Sequence, residues 1–210
     1  MKICLVRHGR PKPVSCEGVS SEVFSESWLK DFDATGIDPW ARPPQEMMDR
    51  ARKCRAVVTS PLQRAHDSAR ILFPDRSILV EPSLREFGLP SLPLPLIKFP
   101  PGVWVMLCRI LWFVGYCRGT ESLSEARARA RRGAELLQRM AGHNDSVAFV
   151  GHGLINTLIA RELRQMGWQG PPIPGRKHWD VSEYTSTMTP IKGREALKGS
   201  RVAVPKPETV

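Results

Sequence analysis

The chain opens with MKICLVRHG, residues 1–9, and this stretch decides the fold more than any other. Its first six residues are mostly apolar and partly β-branched, which is typical of a buried strand. The strand then runs directly into Arg7, His8 and Gly9. Because ligands of an open α/β sheet bind outside the carboxyl ends of its strands, these three residues are predicted to lie where a ligand would sit.

Each of these three residues has a chemistry that suits an anionic ligand. Arg7 offers a planar fork of donors that fits a phosphate group. His8 can act as a nucleophile near neutral pH. Gly9 allows the backbone to turn and to approach a ligand closely. The end of the first strand therefore predicts a phosphate site.

The composition favours one domain with anionic partners. The chain has 210 residues, of which 41% are apolar, enough for a substantial core. Lys and Arg outnumber Asp and Glu by 31 to 21, which gives a net charge of +10. This excess is spread along the chain, and no zinc-finger spacing or RNA-binding aromatic motif accompanies it. Nucleic-acid binding is therefore not expected.

Cysteine usage and the N-terminal sequence both indicate a cytoplasmic protein. The five cysteines are an odd number, widely separated, with no Cys-x-x-Cys. This pattern predicts reduced thiols and argues against a disulfide framework or a structural zinc site. The N-terminus lacks the cationic and long apolar segments of a signal peptide. We expect no cofactor and no metal.

Periodicity and turn signals predict alternating strands and helices, and hence an α/β fold. The predicted helices are 21–32, 45–53, 61–72, 121–140 and 154–166, with Ser60 capping the third and a turn at 142–145. After the first strand, the predicted strands are 55–60, 77–80, 146–150 and 177–186. We expect a single domain over residues 1–190, with an apolar helical insert at about 89–118, and a loosely ordered tail at 191–210.

Three junctions between a strand and the following loop carry residues that suit phosphate. They are Arg7-His8-Gly9, the stretch TSPLQRA at residues 59–65, and Gly151-His152-Gly153. The carboxyl ends of adjacent parallel strands lie at one edge of a sheet. The three junctions are therefore predicted to lie close together.

The same motifs resemble those of the histidine phosphatase (phosphoglycerate mutase-like) superfamily. That family has an Arg-His-Gly, a Ser-x-Leu-x-Arg-Ala, an acidic segment and a late Gly-His in this order. Here they correspond to residues 7–9, 60–65, 84–88 and 151–152. The resemblance covers most of residues 1–165. It implies a three-layer α/β/α sandwich with a mainly parallel central sheet.

The resemblance implies three catalytic residues, His8, Glu86 and His152. His8 would attack phosphorus in line and become a phosphohistidine. Glu86 would give a proton to the leaving oxygen and later help to activate water, while His152 would assist at the phosphoryl group. From the residues alone, Glu81 or Glu121 could take the place of Glu86.

The resemblance also implies a phosphate-binding set that consists of Arg7, Arg64, His152 and Gly153. The side chains would neutralise the equatorial oxygens, and the helix after Gly153 would point its positive N-terminus toward the anion. Phosphoryl transfer needs mainly positioning and electrostatic stabilisation, which these groups supply without a metal. The other histidines are assigned to the surface or to structure: His66, His143 and His178.

The sequence departs from the family directly after the first motif. Mutases and many sugar-phosphate phosphatases follow Arg-His-Gly with an acidic residue, Ser or Thr, and then an Asn that contacts the phosphate. Here the run is RPKPV, and Val14 occupies the position of that Asn. This departure favours hydrolysis over mutase activity.

The apolar run 103–117 within the insert admits more than one interpretation. It is fifteen residues long and contains Arg109, whereas a membrane span needs about 20 apolar residues. An arginine in its middle would cost about 2.5–3.5 kcal/mol on insertion scales. We therefore expect a wall of the pocket, or else a peripheral membrane contact or a surface for self-association.

The sequence therefore predicts a metal-independent phosphomonoester hydrolase that acts through a phosphohistidine. Its partner would be a small or partly apolar phosphorylated molecule. Two alternatives remain open at this point. One is a phosphohistidine-protein phosphatase in signalling, and the other is a non-hydrolytic family member that only binds anions.

Overall fold

The computed structural model describes residues 1–94 and 96–187, so the predicted tail at 191–210 lies outside the described residues. The strands are β1 Lys2–Arg7, β2 Val19–Ser20, β3 Ala56–Thr59, β4 Leu79–Val80, β5 Lys98–Phe99, β6 Ser146–Gly151 and β7 Val181–Thr185. The helices are α1 Ser21–Val23, α2 Leu29–Ala34, α3 Gln45–Arg52, α4 Gln63–Leu72, α5 Pro101–Phe113, α6 Leu123–Asn144 and α7 Gly153–Gln165. A π-helical segment, Phe24–Trp28, joins α1 to α2, and a 3₁₀ turn covers Pro82–Leu84.

The central sheet has five strands in the order β4-β3-β6-β1-β7. The first four are parallel, and β7 is antiparallel to β1. In the register, Arg7 lies opposite Gly151 and Thr59 lies opposite Val150. The carboxyl ends of β1, β3 and β6 are therefore level, and the three polar junctions meet at one edge, as predicted.

Each face of this sheet is covered by helices, because successive residues of a strand point to opposite faces. Ile3 and Leu5 pack with α6 and α7 in one core. Cys4 and Val6 pack with α3 and α4 in another core on the other face. The predicted three-layer α/β/α sandwich with a mainly parallel sheet is confirmed.

Two local predictions on helix ends are wrong. Ser60 does not cap α4, which begins at Gln63 after Leu62; the Ser60 hydroxyl instead accepts from the Leu62 amide at 3.3 Å and lies near His152. The turn predicted at 142–145 is mostly helix, because α6 continues to Asn144 and ends at Asp145 with a φ of 62°. A left-handed residue at that point ends the helix and lets the chain enter β6.

Helix α5 forms the centre of the apolar insert and is only partly buried. Trp104, Cys108 and Trp112 are buried on one side, and the two indole N–H groups donate to the carbonyls of Val19 and Glu121. The exposed side chains of the outward face are Met106 and Ile110, together with Val114 directly after the helix. None of the helices in the described residues is both long and apolar enough to cross a membrane. Membrane contact or self-association through the outward face stays a prediction.

Candidate active site

His8 follows β1 directly and is almost fully buried, with 5% of its surface exposed. Its Nδ1 lies 2.6 Å from the carbonyl oxygen of Gly9. A carbonyl only accepts, so Nδ1 carries the proton and Nε2 is left with a free lone pair. Burial lowers the pKa of His8 to about 3, and the nearby charges of Arg64 and Arg7 act in the same direction. The ring is therefore neutral at pH 7, as a nucleophile requires.

Gly9 is needed for packing at this position. The indole of Trp179 occupies the space that a Cβ on Gly9 would fill. The Gly9 amide donates to Ser68 Oγ at 2.8 Å, and the Ser68 hydroxyl donates to the carbonyl of Arg64 at 2.6 Å. These contacts fix the turn that carries the His8 acceptor and connect it to helix α4.

His152 lies at the end of β6 as the N-cap residue of α7, with 1% of its surface exposed. The centroids of its ring and of the His8 ring are 5.0 Å apart. Its Nε2 is 2.8 Å from Ser60 Oγ, whereas its buried Nδ1 has no hydrogen-bond partner among the described residues. Burial, followed by the interaction with His8, holds the pKa of His152 well below its usual value. Nδ1 is thus available to a ligand.

Two guanidinium groups complete this end of the site. Arg64, in the first turn of α4, is 3% exposed and donates to the Phe32 carbonyl at 3.0 Å and to Asp33 at 3.3 Å. Arg7 donates through Nη1 to the carbonyl of Arg176, and its buried Nε has no partner among the described residues. Burial is the main cause that lowers the pKa of both arginines. An unpartnered donor beside two neutral imidazoles is suited to an anion.

Glu86 lies in the loop after the 3₁₀ turn and reaches the first turn of α7. Its Oε1 accepts from the Phe87 and Ile155 amides at 3.1 and 3.0 Å, and its Oε2 accepts from the Leu154 amide at 3.1 Å. Free amides at a helix N-terminus favour a carboxylate in this way. The local sequence does not predict this contact, because the partners are 68 and 69 residues away.

The two other carboxylates that could serve as the acid are differently engaged. Glu81 accepts from the amide of Ser83 at 3.0 Å and does not line the pocket. Glu121 lines the pocket but forms an ion pair with Arg129, whose Nε donates to Glu121 Oε2 at 3.0 Å. Of the three candidates, only Glu86 lines the pocket without forming an ion pair with another described residue.

A cavity of about 1040 Å³ opens at the carboxyl edge of the sheet. It is lined by all of the residues proposed from the sequence: Arg7, His8, Arg64, Glu86, His152 and Gly153. In the part of the chain that the structure describes, no group of three or more His, Cys, Asp or Glu side chains is placed to hold a metal ion. The end of the cavity at the sheet edge is lined by two imidazoles and two guanidinium groups.

Comparison with known families agrees with this geometry. A family model described as histidine phosphatase superfamily (branch 1) matches residues 3–186. The chain belongs to this superfamily. A search of curated proteins gives no match.

Several solved structures have the same fold as this chain at low sequence identity. A mycobacterial glucosyl-3-phosphoglycerate phosphatase in complex with VO3 is 18% identical, with a TM-score of 0.56 over 87% of this chain and 91% of that chain. A mycobacterial hydrolase is 20% identical, with a TM-score of 0.54 over 89% and 84%. A protein from Mycobacterium tuberculosis is 15% identical, with a TM-score of 0.54 over 87% and 89%. At these identities the likeness establishes a shared fold.

Two further residues reach the pocket from the loop before β7. The His178 ring centroid is 5.5 Å from that of His8. Arg176 lines the cavity, and its own backbone carbonyl accepts a hydrogen bond from Arg7. The assignment of His178 to the surface or to structure therefore overlooked its place beside His8. The available signal was β7 itself, since an antiparallel strand next to β1 begins at the edge where β1 ends.

Proposed function

We propose that the protein hydrolyses small phosphomonoesters through a phosphohistidine on His8. One observation carries this proposal: two neutral, buried imidazoles, His8 and His152, lie 5.0 Å apart in a pocket that also receives two guanidinium groups. A phosphoryl group is of a size to contact both rings at that separation. The family to which the chain belongs supports the same chemistry.

In the first step, Nε2 of His8 attacks phosphorus as the ester P–O bond breaks. Glu86, in the form of the enzyme in which its carboxyl is protonated, gives its proton to the leaving oxygen. In the second step, water attacks the phosphohistidine, the P–N bond breaks, and Glu86 takes a proton from the water. The ring and Glu86 return to their starting states, and inorganic phosphate leaves. The Nδ1–H group of His8 keeps its proton and donates to the Gly9 carbonyl throughout, so the ring keeps its orientation.

Positioning and charge neutralisation supply the catalysis, without a metal. Arg7 Nε and His152 Nδ1 have no other partner among the described residues. With the Ser60 hydroxyl donating to His152 Nε2, Nδ1 carries the ring proton, and both groups then donate to the phosphoryl oxygens. Arg64 adds a charge held in place by Asp33 and Phe32. Gly153 opens helix α7, whose dipole also favours the anion.

Hydrolysis is favoured over a mutase because Val14 replaces the Asn that mutases use at this position. Action on a phosphorylated protein is less well supported, because the insert forms one wall of the pocket through Val105, Arg109 and Phe113. A protein that only bound anions would gain nothing from the lone pair on His8 Nε2, because a lone pair cannot donate a hydrogen bond to an anion. These observations favour a small ester as the substrate.

The test is hydrolysis of p-nitrophenyl phosphate by the wild type, His8→Ala and His143→Ala. His143 is an exposed histidine in the last turn of α6 and serves as the matched control. We expect His8→Ala to lose turnover by at least about 10³-fold and His143→Ala to keep it. In a second assay, the enzyme is quenched during turnover of a substrate with a radiolabelled phosphoryl group. Acid-labile label bound to the wild type, and none bound to His8→Ala, would identify the phosphohistidine. Equal rates for wild type and His8→Ala would refute the proposal.

A further inference from the structure

Helix α5 presents three different faces, and one of them belongs to the pocket. The face of Trp104, Cys108 and Trp112 is buried, and an outward face is exposed. A third face contributes Val105, Arg109 and Phe113 to the lining of the cavity. Residues four apart lie on one face of a helix, so these three side chains form a continuous row.

The one charge in this row is already bound within the protein. Arg109 donates to the carbonyls of Phe87 and Gly88 at 3.1 and 3.3 Å. Its guanidinium also lies 5.2 Å from the centre of the Trp112 ring. Two of its N–H groups therefore have backbone acceptors, and the guanidinium is held against the loop that follows Glu86.

Other charged side chains near this wall also have partners within the protein. Arg129 forms an ion pair with Glu121 and donates to the carbonyls of Ser83 and Arg85. Asp33 lies 3.3 Å from Arg64 and 3.7 Å from Arg85. What this wall offers to a substrate is therefore mainly hydrocarbon.

The apolar part of the wall comes from three segments of the chain. Val105 and Phe113 come from α5, Leu29 from α2, and Leu89 from the loop that follows Glu86. Phe113 is 48% exposed, so apolar surface faces the cavity and could be covered by a ligand. Removing such surface from water is favourable. The cavity, at about 1040 Å³, has the size of sites that hold drug-sized molecules and far exceeds a phosphate group.

We propose that the preferred substrates are phosphate monoesters whose alcohol carries an apolar chain or ring. The phosphate would lie at His8, and the apolar group would lie along Val105 and Phe113, with Leu29 and Leu89 completing the contact. This inference rests on the proposed function, because it assigns the substrate class of the same site.

The experiment measures kcat/KM for ethyl, butyl and hexyl phosphate in solution, below the concentrations at which the esters aggregate. A fully buried methylene corresponds to about fourfold, so a partly covered chain should gain about twofold or more per methylene. Hexyl phosphate should then exceed ethyl phosphate by at least about tenfold. A flat series with measurable hydrolysis of every ester would overturn the inference and leave the proposed function intact. No hydrolysis of any ester would overturn both.

Two substitutions on the same helix separate the pocket face from the outward face. Phe113 and Ile110 are both large, apolar and about half exposed, at 48% and 54%, but only Phe113 lines the cavity. Phe113→Ala should lower the ratio of kcat/KM for hexyl phosphate to kcat/KM for ethyl phosphate by about threefold, and Ile110→Ala should leave this ratio unchanged. Thermal unfolding of both variants checks that they fold alike. An equal loss in both variants would overturn the inference.

A further arm distinguishes a dissolved ester from one held in a bilayer. Turnover of octyl phosphate in solution is compared with turnover of phosphatidic acid in phosphatidylcholine vesicles at equal bulk concentration. Faster turnover of octyl phosphate assigns the pocket to dissolved esters, and faster turnover of phosphatidic acid assigns it to esters in membranes. Slower turnover of both than of ethyl phosphate contradicts an apolar substrate.

Discussion

The two walls of the pocket are built in different ways. On the sheet side, His8, Arg64 and His152 are at most 5% exposed, and two of them follow strands that are held in register by the parallel ladder. On the insert side, Phe113 is about half exposed and belongs to a helix that packs mainly through two tryptophans. The sheet side is rigid and polar, and the insert side is more open and apolar.

This difference assigns different tasks to the two walls. Chemistry at phosphorus requires atoms fixed to a fraction of an ångström, which buried side chains at strand ends provide. Selection of an alcohol requires only a surface of suitable polarity, which a helix in an insert provides. Substitutions on the sheet side should therefore reduce turnover of every ester, and substitutions on the insert side should change the preference among esters.

The largest effect expected from this comparison is that of Arg64→Ala. The substitution removes a buried charge from the phosphoryl site, so kcat/KM should fall by about 10²–10³-fold for all esters alike. Arg127→Ala, on the exposed side of α6, is the control and should keep full activity. A loss confined to one class of ester would place Arg64 in substrate selection and break the distinction between the walls.

The next effect concerns Glu86, which connects the two walls. Glu86→Gln should reduce kcat for ethyl phosphate by about 10²-fold, because an alkoxide needs a proton to leave. For p-nitrophenyl phosphate the loss should be less than about tenfold, because nitrophenolate leaves without one. Glu121→Gln is the matched control and should not show this dependence on the leaving group. If Glu121→Gln shows it and Glu86→Gln does not, the proton donor is Glu121.

A smaller effect is expected from the link between α5 and the loop of Glu86. Arg109 holds the carbonyls of Phe87 and Gly88, directly after the proposed acid. Arg109→Met should lower kcat for ethyl phosphate about tenfold, with little change in KM, and should shift the pH profile of kcat. Arg118→Met, an exposed arginine beyond the same helix, should change neither. An equal loss for p-nitrophenyl phosphate would argue against an action through Glu86.

The smallest effect is on stability, and it concerns the sheet side. The pKa of His8 is about 3 in the folded protein and about 6.5 when unfolded, so between these values only the unfolded chain binds the proton. The contribution of His8 to stability should therefore be constant above about pH 6.5 and should fall as the pH decreases toward 3. Each such histidine contributes at most about 1.4 kcal/mol per pH unit. Urea unfolding at pH 5 and 7.5 measures the slope.

His8→Asn should make this pH dependence shallower, and His152 should leave a remaining slope of the same sign, because its pKa is lowered in the same direction. His143→Asn, at an exposed position, is the control and should leave the slope unchanged. An unchanged slope in His8→Asn would mean that His8 is not a buried neutral ring.

Much of the sheet side could be read from the chain because its signals are local. Apolar strands that end in Arg7-His8-Gly9 and Gly151-His152-Gly153 carry both the fold and the placement of these residues, since parallel neighbours end at one edge. A first-turn arginine after Ser60 points to the same edge for a similar reason. These residues converge because of the order of the strands in the sheet, and the rules on connections between parallel strands strongly restrict that order.

The remaining features depend on contacts between residues that are distant in sequence, where no local pattern exists. Glu86 is fixed by amides of α7, and His178 reaches His8 only because β7 lies antiparallel to β1. The periodicity of α5 indicates a helix with apolar sides, but which side faces the core, the cavity or the solvent depends on packing. Side-chain burial is a property of the assembled layers, so these assignments required the three-dimensional structure.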